Sequence, residues 1–460
     1  MQAPLATEDT IAAIATPPGE GGVGIVRLSG PRAVEIAARL FQSSRGHDIT
    51  RTKSWRSYHG HATENGAALD EVLVHVMRAP RSYTREDVVE LCGHGGPAAM
   101  QALLDACLAQ GARLAQPGEF TLRAFLNGRI DLVQAEAVLD QIQARTKAAL
   151  QAATAASSGT LSRALFDMKE RLAHAMAYVE AAVDFPEDDL PSLVTPALLA
   201  DLERVRSDMQ RLMETADSGR LLREGVTLAI AGRPNVGKSS LFNALLRDTR
   251  AIVSPHAGTT RDRIEEHLNL RGVPVRLVDT AGLRDATDEV EQQGVALARA
   301  ALQQAQAVLF VADRSVGLTA EDRALAEEVL ALESPTLLLW NKSDLPPAEA
   351  LPVLEGFHTV VDLSAKTGDG IAALEDALAA LLLSGLQQDA HQPMLTRLHQ
   401  KDSLRRAHDY VAQVLAQPAR SPEFLALDLR EALDAIGEIT GETTPDDILG
   451  AIFSSFCIGK

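Results

Sequence analysis

Gly232-Arg233-Pro234-Asn235-Val236-Gly237-Lys238-Ser239 follows an unbroken apolar run, Val226 to Ala231, and leads through Ser240 into a helical pattern. The spacing is G-x-x-x-x-G-K-S, and a setting between strand and helix is what such a loop requires. Its glycines let backbone N–H groups curl around phosphate oxygens. The Lys238 amine then reaches the β and γ phosphates, and the Ser239 hydroxyl offers an oxygen to Mg²⁺. Strand, phosphate loop and helix in this order predict an α/β domain.

Further apolar runs at Val275 to Val278, Val308 to Ala312 and Thr336 to Trp340 alternate with helical stretches across 219–383. That alternation predicts a Ras-like domain with a mainly parallel sheet. Asp279-Thr280-Ala281-Gly282 follows the second strand and brings a carboxylate and backbone N–H groups toward the metal and the γ phosphate. Asn341-Lys342-Ser343-Asp344 follows another, and Asp344 can accept from both N1–H and N2–H₂ of guanine, a donor pair adenine lacks. Ser364-Ala365-Lys366 supplies the remaining base-contacting loop, so the expected nucleotide is GTP. Gly258-Thr259-Thr260-Arg261-Asp262 offers a threonine, Thr260, to Mg²⁺ once a γ phosphate is present. After D-T-A-G stands Leu283, where Ras-type enzymes use glutamine to orient the attacking water. Leucine cannot do this, so beside Lys238 and Asp279 the catalytic candidates are Arg284, Asp288, Glu289 and Glu291.

The 460 residues are 46% hydrophobic and 23% charged, ordinary globular usage with room for several cores. Residues 1–125 mix strand and helix patterns, with a strand at Val23 to Leu28 and a helix at Ala33 to Phe41. Over 126–218, Leu161, Leu165, Met168, Leu172, Met176 and Val179 mark one helical face, and Leu198, Leu202, Val205, Met209 and Leu212 mark a second helix. Ser218-Gly219 is expected to break that second helix. Helical character returns over 384–460, where Thr444-Pro445-Asp446-Asp447 reads as an N-cap followed by a first-turn proline. The α/β domain is thus expected to be inserted into a helical domain.

A formal net charge of -18 argues against whole-surface binding to a polyanion, so an RNA role needs a local basic patch or a partner. Cys92, Cys107 and Cys457 are odd in number and lack metal-like spacing, which suits a reducing compartment. With no basic-then-apolar leader and no long uncharged apolar run, the expectation is a cytoplasmic protein that does not span a membrane.

Three separate stretches resemble the MnmE family, also called TrmE, of tRNA-modifying GTPases in the Era-like branch. They are D-T-I-A-A-I-A-T-P-P-G-E-G-G-V-G-I-V-R-L-S-G near the start, G-R-P-N-V-G-K-S-S-L-F-N-A-L-L with G-T-T-R-D and D-T-A-G-L-R in the centre, and F-S-S-F-C-I-G-K at the end. The resemblance implies a homodimer held by the N-terminal domains. It implies nucleotide contacts over Asn235, Val236, Gly237, Lys238, Ser239 and Ser240 and over Ser254, Pro255, His256, Ala257, Gly258, Thr259 and Thr260. Within these, Mg²⁺ falls to Ser239 and Thr260, and K⁺ falls to Asn235, Ser254, His256 and Thr259. Such a K⁺ replaces an arginine finger by neutralising the same developing charge, and Glu291 positions the water. For the N-terminal domain the resemblance implies a site for 5-formyl-tetrahydrofolate or 5,10-methylene-tetrahydrofolate at Arg27, Glu90, Arg129 and Lys460, with Cys457 a candidate for one-carbon chemistry. Where the family can carry lysine, Arg129 keeps the charge with a different donor geometry.

The implied activity is formation of 5-carboxymethylaminomethyl or aminomethyl uridine at wobble position 34 of tRNA. It would take place in a heterotetramer with an MnmG-like flavoprotein that brings FAD and NADH, because this chain has no dinucleotide fingerprint. Two rivals are an Era-like ribosome-assembly switch that binds RNA without chemistry and an independent aminomethyltransferase with a fused GTPase. A single GTPase domain and the C-I-G-K tail favour the wobble-uridine reading.

Overall fold

The computed structural model describes residues 8–184, 195–248, 265–279, 302–332, 334–348, 355–383 and 392–460. Two compact units result, Met1–Leu139 with Arg430–Lys460, and Asp140–Leu429.

In the first unit β1 (Ile11–Ile14), β2 (Gly24–Ser29), β3 (Phe41–Ser43), β4 (Arg56–Glu64), β5 (Ala67–Met77), β6 (Val88–Gly93) and β7 (Arg113–Leu114) form one sheet, ordered β3-β4-β5-β6-β2-β1-β7. Neighbours are antiparallel except β1 with β7. Period-two alternation turns Val72, Val74, Val76, Val89 and Leu91 to one face, under α1 (Ala33–Leu40) and α2 (Pro97–Ala109). The same alternation sends Arg27 and Glu90, which are directly paired in register, to the opposite face. Helices α3 (Glu119–Leu126) and α4 (Leu132–Gln143) follow the sheet.

The second unit begins with helices α5 (Lys147–Ser157), α6 (Thr160–Asp184), α7 (Pro196–Glu214) and α8 (Ala216–Glu224). The α6 face buries Leu161, Leu165, Met168, Leu172 and Val179 as expected, but Ala175 takes the inward place assigned to Met176. Ser218-Gly219 breaks nothing. One turn residue, Thr215, separates α7 from α8, and α8 runs through both residues, with Gly219 packed so closely on Leu395 that a Cβ would overlap its carbonyl.

A second sheet comprises β8 (Val226–Ala231), β9 (Glu265–Leu270), β10 (Val273–Asp279), β11 (Ala307–Asp313), β12 (Thr336–Asn341) and β13 (Thr359–Asp362), ordered β13-β12-β11-β8-β10-β9. All pairs are parallel except β9 with β10. The central strands are buried on both faces, which explains their continuous apolar runs. Leu228, Leu309 and Leu339 face α9 (Lys238–Asp248) and α11 (Ile371–Leu382), while Phe310, Leu338 and Trp340 face α10 (Ala320–Leu330). The β9–β10 hairpin turns at Arg271 (φ 48°) and Gly272 (φ 97°), a turn that needs two left-handed residues. Thr146, which caps α5 by accepting from the Ala149 N–H at 3.1 Å, donates its hydroxyl to the Gly272 carbonyl at 2.6 Å.

Helices α12 (Leu398–Ala416), α13 (Pro422–Thr440) and α14 (Asp446–Ser454) complete the chain. Pro445 itself occupies the N-cap of α14, and Thr444 donates to the Glu438 carbonyl at 2.7 Å instead of capping. In the first unit Phe453 and Phe456 pack with Leu122 and Leu132. Among the described residues no helix is long and apolar enough to cross a membrane.

Candidate nucleotide and N-terminal sites

The phosphate loop joins β8 to α9 through three left-handed or open backbone positions, Gly232 (φ 150°), Asn235 (φ 63°) and Gly237 (φ 98°). Lys238 is the first residue of α9, and its buried amine donates to the Gly232 and Arg233 carbonyls at 2.8 Å each. Ser239 and Ser240 are exposed at the same helix end. An ammonium, hydroxyl oxygens and the N-terminus of an 11-residue helix make a donor set suited to a phosphate chain with Mg²⁺.

The N-K-S-D and S-A-K loops brace this loop. Asn341 Nδ2 donates to the Val236 carbonyl at 2.8 Å, and its Oδ1 accepts from the Ala365 N–H at 2.9 Å. Lys342 donates to the Asn235 carbonyl at 3.0 Å and to Asp313 at 2.6 Å. Burial opposes ionisation of Asp313, but Lys342 and Ser315 outweigh it and hold the carboxyl below its ordinary range. Asp344 is exposed and accepts from the Ser364 hydroxyl at 2.8 Å, so the N-K-S-D and S-A-K motifs meet; Lys366 is exposed beside them.

Sequence reasoning missed Asp322. This fully buried carboxylate closes a capping box with Thr319 on α10 and accepts from Arg233 Nε at 3.1 Å, fixing the phosphate loop from outside. The T-x-x-D spacing of Thr319 to Asp322 was the available signal. Ser254, Pro255, His256, Ala257, Gly258, Thr259, Thr260, Thr280, Ala281, Gly282, Arg284, Asp288, Glu289 and Glu291 lie outside the described residues. Asp279 ends β10, in register with Ile230 of β8.

In the first unit, Arg27 Nε donates to Glu90 at 2.8 Å, Nη1 donates to the Gly459 carbonyl at 3.1 Å, and the guanidinium lies 5.6 Å from the Phe120 ring centre. The tail is held at Gly459 (φ 92°), where a Cβ would overlap the Ile14 carbonyl, and by the Gly118 N–H, which donates to the Cys457 carbonyl at 3.3 Å. Burial, and next the Arg27 charge, push the Lys460 amine below its ordinary value. Arg27, Glu90 and Lys460 are therefore together. Arg129 stands one aromatic layer away, 4.8 Å over Tyr83, which packs on the Phe120 cluster. Cys457 is exposed, whereas burial, with Glu90 adding to it, raises the Cys92 thiol to about 11.

Residues 10–129 match the family described as GTP-binding protein TrmE N-terminus, and residues 132–457 match the MnmE helical domain. The chain is 47% identical to the tRNA modification GTPase MnmE of Geobacter metallireducens, over 98% of this chain and 99% of that one. This chain belongs to the MnmE family. The MnmE of Chloroflexus aurantiacus is 48% identical over 98% of this chain and all of its own length. Among solved structures, Aquifex aeolicus Era is similar at 28% identity, covering 40% of this chain and 66% of that one with a TM-score of 0.27.

As an MnmE tRNA modification GTPase, the chain hydrolyses GTP, and the phosphate loop shows how its residues serve that reaction. Bound Mg²⁺ supplies charge neutralisation on the β and γ phosphates. Lys238, seated at the first residue of α9, holds its ammonium within the loop on the Gly232 and Arg233 carbonyls. The Asn341, Lys342 and Arg233 contacts fix the course of the loop.

Proposed function

We propose that this MnmE chain is a K⁺-dependent GTPase that acts with an MnmG-like flavoprotein and a one-carbon folate. Together they form 5-carboxymethylaminomethyl or aminomethyl uridine at the wobble position of tRNA. The observation that carries the reading is the meeting of Arg27, Glu90 and the chain's last two residues on one sheet face. Arg27 beside the Phe120 ring, with Lys460 near Arg27, suits an anionic ligand with an aromatic ring, and Glu90 can accept from the paired N–H groups of a pterin. Arg129 would join them from the Tyr83 side, and exposed Cys457 would stand near the one-carbon unit.

In this reading Asn235, with its exposed side chain on left-handed backbone, shares K⁺ with Ser254, His256 and Thr259. Ser239 and Thr260 share Mg²⁺, while Glu291, assisted by Arg284 and Asp279, serves the attacking water. Exposed Val23 and Leu73 support a homodimer through the N-terminal unit. The division into 1–125, 126–218, 219–383 and 384–460, a cytoplasmic location, and FAD and NADH supplied by the partner belong to the same proposal.

The test is a reconstituted reaction with flavoprotein, tRNA and 5,10-methylene-tetrahydrofolate, read by nucleoside analysis alongside GTP turnover in K⁺ and Na⁺ at equal ionic strength. Turnover should depend on K⁺ in the unmodified chain and lose that dependence in Asn235→Ala, while Arg27→Ala should lose modified uridine and keep turnover. Equal turnover in both salts sinks the K⁺ reading, and full modification by Arg27→Ala sinks the folate reading.

A further inference from the structure

The first unit contains a cavity of about 500 Å³ bordered by Trp55, Met77, Arg81, Tyr83, Arg85 and Arg129. That size falls among small-ligand sites, and its rim combines two aromatic rings with three guanidinium groups. The nearby carboxylates are engaged elsewhere. Asp87 pairs with Arg78 at 2.7 Å, and Glu86 pairs with Arg123 at 3.2 Å and accepts from the Ser29 hydroxyl at 2.6 Å. Among the described residues, no carboxylate pairs with Arg81, Arg85 or Arg129. Three such cations together stand out in a chain of net charge -18.

Their positions are set by the fold. Arg85 Nη1 donates to the Asn127 carbonyl at 2.9 Å, Asn127 Nδ2 donates to the Thr84 carbonyl at 2.6 Å, and Arg129 lies over the Tyr83 ring. Trp55 is 66% exposed on left-handed backbone (φ 62°), held by its N–H donating to the Val76 carbonyl at 2.8 Å. A bulky residue in that conformation is uncommon, and here it keeps an indole outside the core. Aromatic faces within reach of separated cations suit a flat base attached to phosphates. A base-paired strand cannot offer its base face in this way, whereas an unpaired nucleotide can.

We propose that this cavity receives an unpaired nucleotide of the tRNA, with its base against Trp55 and its flanking phosphates on Arg81 and Arg85. The inference rests on the chain's action on tRNA and names the surface that would hold it, independently of the wobble-uridine chemistry.

The experiment titrates the full-length chain with an unmodified tRNA transcript and with a blunt RNA duplex of equal charge. Trp340 is only 4% exposed, so quenching of the exposed indole reports on Trp55. The tRNA should quench that emission and the duplex should not. Trp55→Ala should weaken tRNA binding about tenfold, and Trp55→Phe, which keeps a π face, should restore it to within about twofold. The pair Arg81→Gln and Arg85→Gln should weaken tRNA binding by about tenfold and reduce the salt slope by roughly 0.7 for each phosphate that is no longer neutralised. RNA-free GTP turnover should stay unchanged and report that the variants are folded. An unaltered tRNA affinity and salt slope in the double variant overturns the proposal. Loss of 5-formyl-tetrahydrofolate binding with tRNA binding intact also overturns it, by assigning these arginines to the folate.

Discussion

Asn341 holds the phosphate loop from the base side, its side-chain amide donating to the Val236 carbonyl at 2.8 Å. Its other end accepts from Ala365, so one buried side chain ties the phosphate loop to the S-A-K loop. Asn341→Ala leaves a buried carbonyl and an N–H without their partner and is expected to cost about 2 kcal/mol. It should also weaken GDP binding. Urea unfolding and a fluorescent-GDP titration check both outcomes; a variant of unchanged stability contradicts the bracing role.

Lys238→Ala should reduce GTP turnover by about 10² or more, since a fixed cation is removed from the site of developing charge. Steady-state phosphate release measures it. Asp344→Asn should exchange base preference, because an amide NH₂ repels the guanine donors but can donate to the C2 carbonyl of xanthine. Competition between GTP and XTP reads the switch, and retained GTP preference would count against Asp344 as the base-reading residue.

Asp9 and Glu119 surround Arg113 and Arg123, with Arg113 to Asp9 at 2.6 Å and Arg123 to Glu119 at 3.0 Å. Burial works against ionisation, but the two guanidiniums prevail and hold both carboxyls below their ordinary values of 3.8 and 4.5. A carboxyl lowered in the folded state contributes stability above its ordinary value and loses it as pH falls through the folded one. Urea midpoints should therefore be level above about pH 5 and decline below about pH 4, with a shallower acid limb in Arg123→Met.

Alkylation should single out one cysteine. Burial raises Cys92 to about 11 and Cys107 to about 12, leaving almost no thiolate at pH 8, whereas Cys457 is exposed. Iodoacetamide under native conditions should add one adduct per chain, absent in Cys457→Ser, as intact mass will show.

The strands that carry the nucleotide motifs were legible because both their faces are covered: Val226 to Ala231 and Thr336 to Asn341 are apolar nearly throughout. Glu265–Leu270 and Thr359–Asp362 escaped because they lie at the sheet edges, where Asn269, Thr359 and Asp362 face water and Val360 is exposed. Ser218-Gly219 misled because a glycine required for close packing looks in sequence like one that ends a helix. Asp344 could be read from its neighbours along the chain. The Trp55, Arg81 and Arg129 cavity could not, since only tertiary folding gathers residues so far apart and no local spacing marks them.

The Thr146 hydroxyl turns two elements into one joint, since the same oxygen starts a helix and grips the tip of the β9–β10 hairpin. The hairpin's arms run roughly 20 Å from that tip, at about 3.3 Å per residue, and end at Glu265 and Asp279, next in sequence to the segments that carry Thr260 and Thr280-Ala281-Gly282. The hairpin tip is tied to α5 twice over, by that hydroxyl and by Ala148 and Ala152, which pack against the core the hairpin strands share.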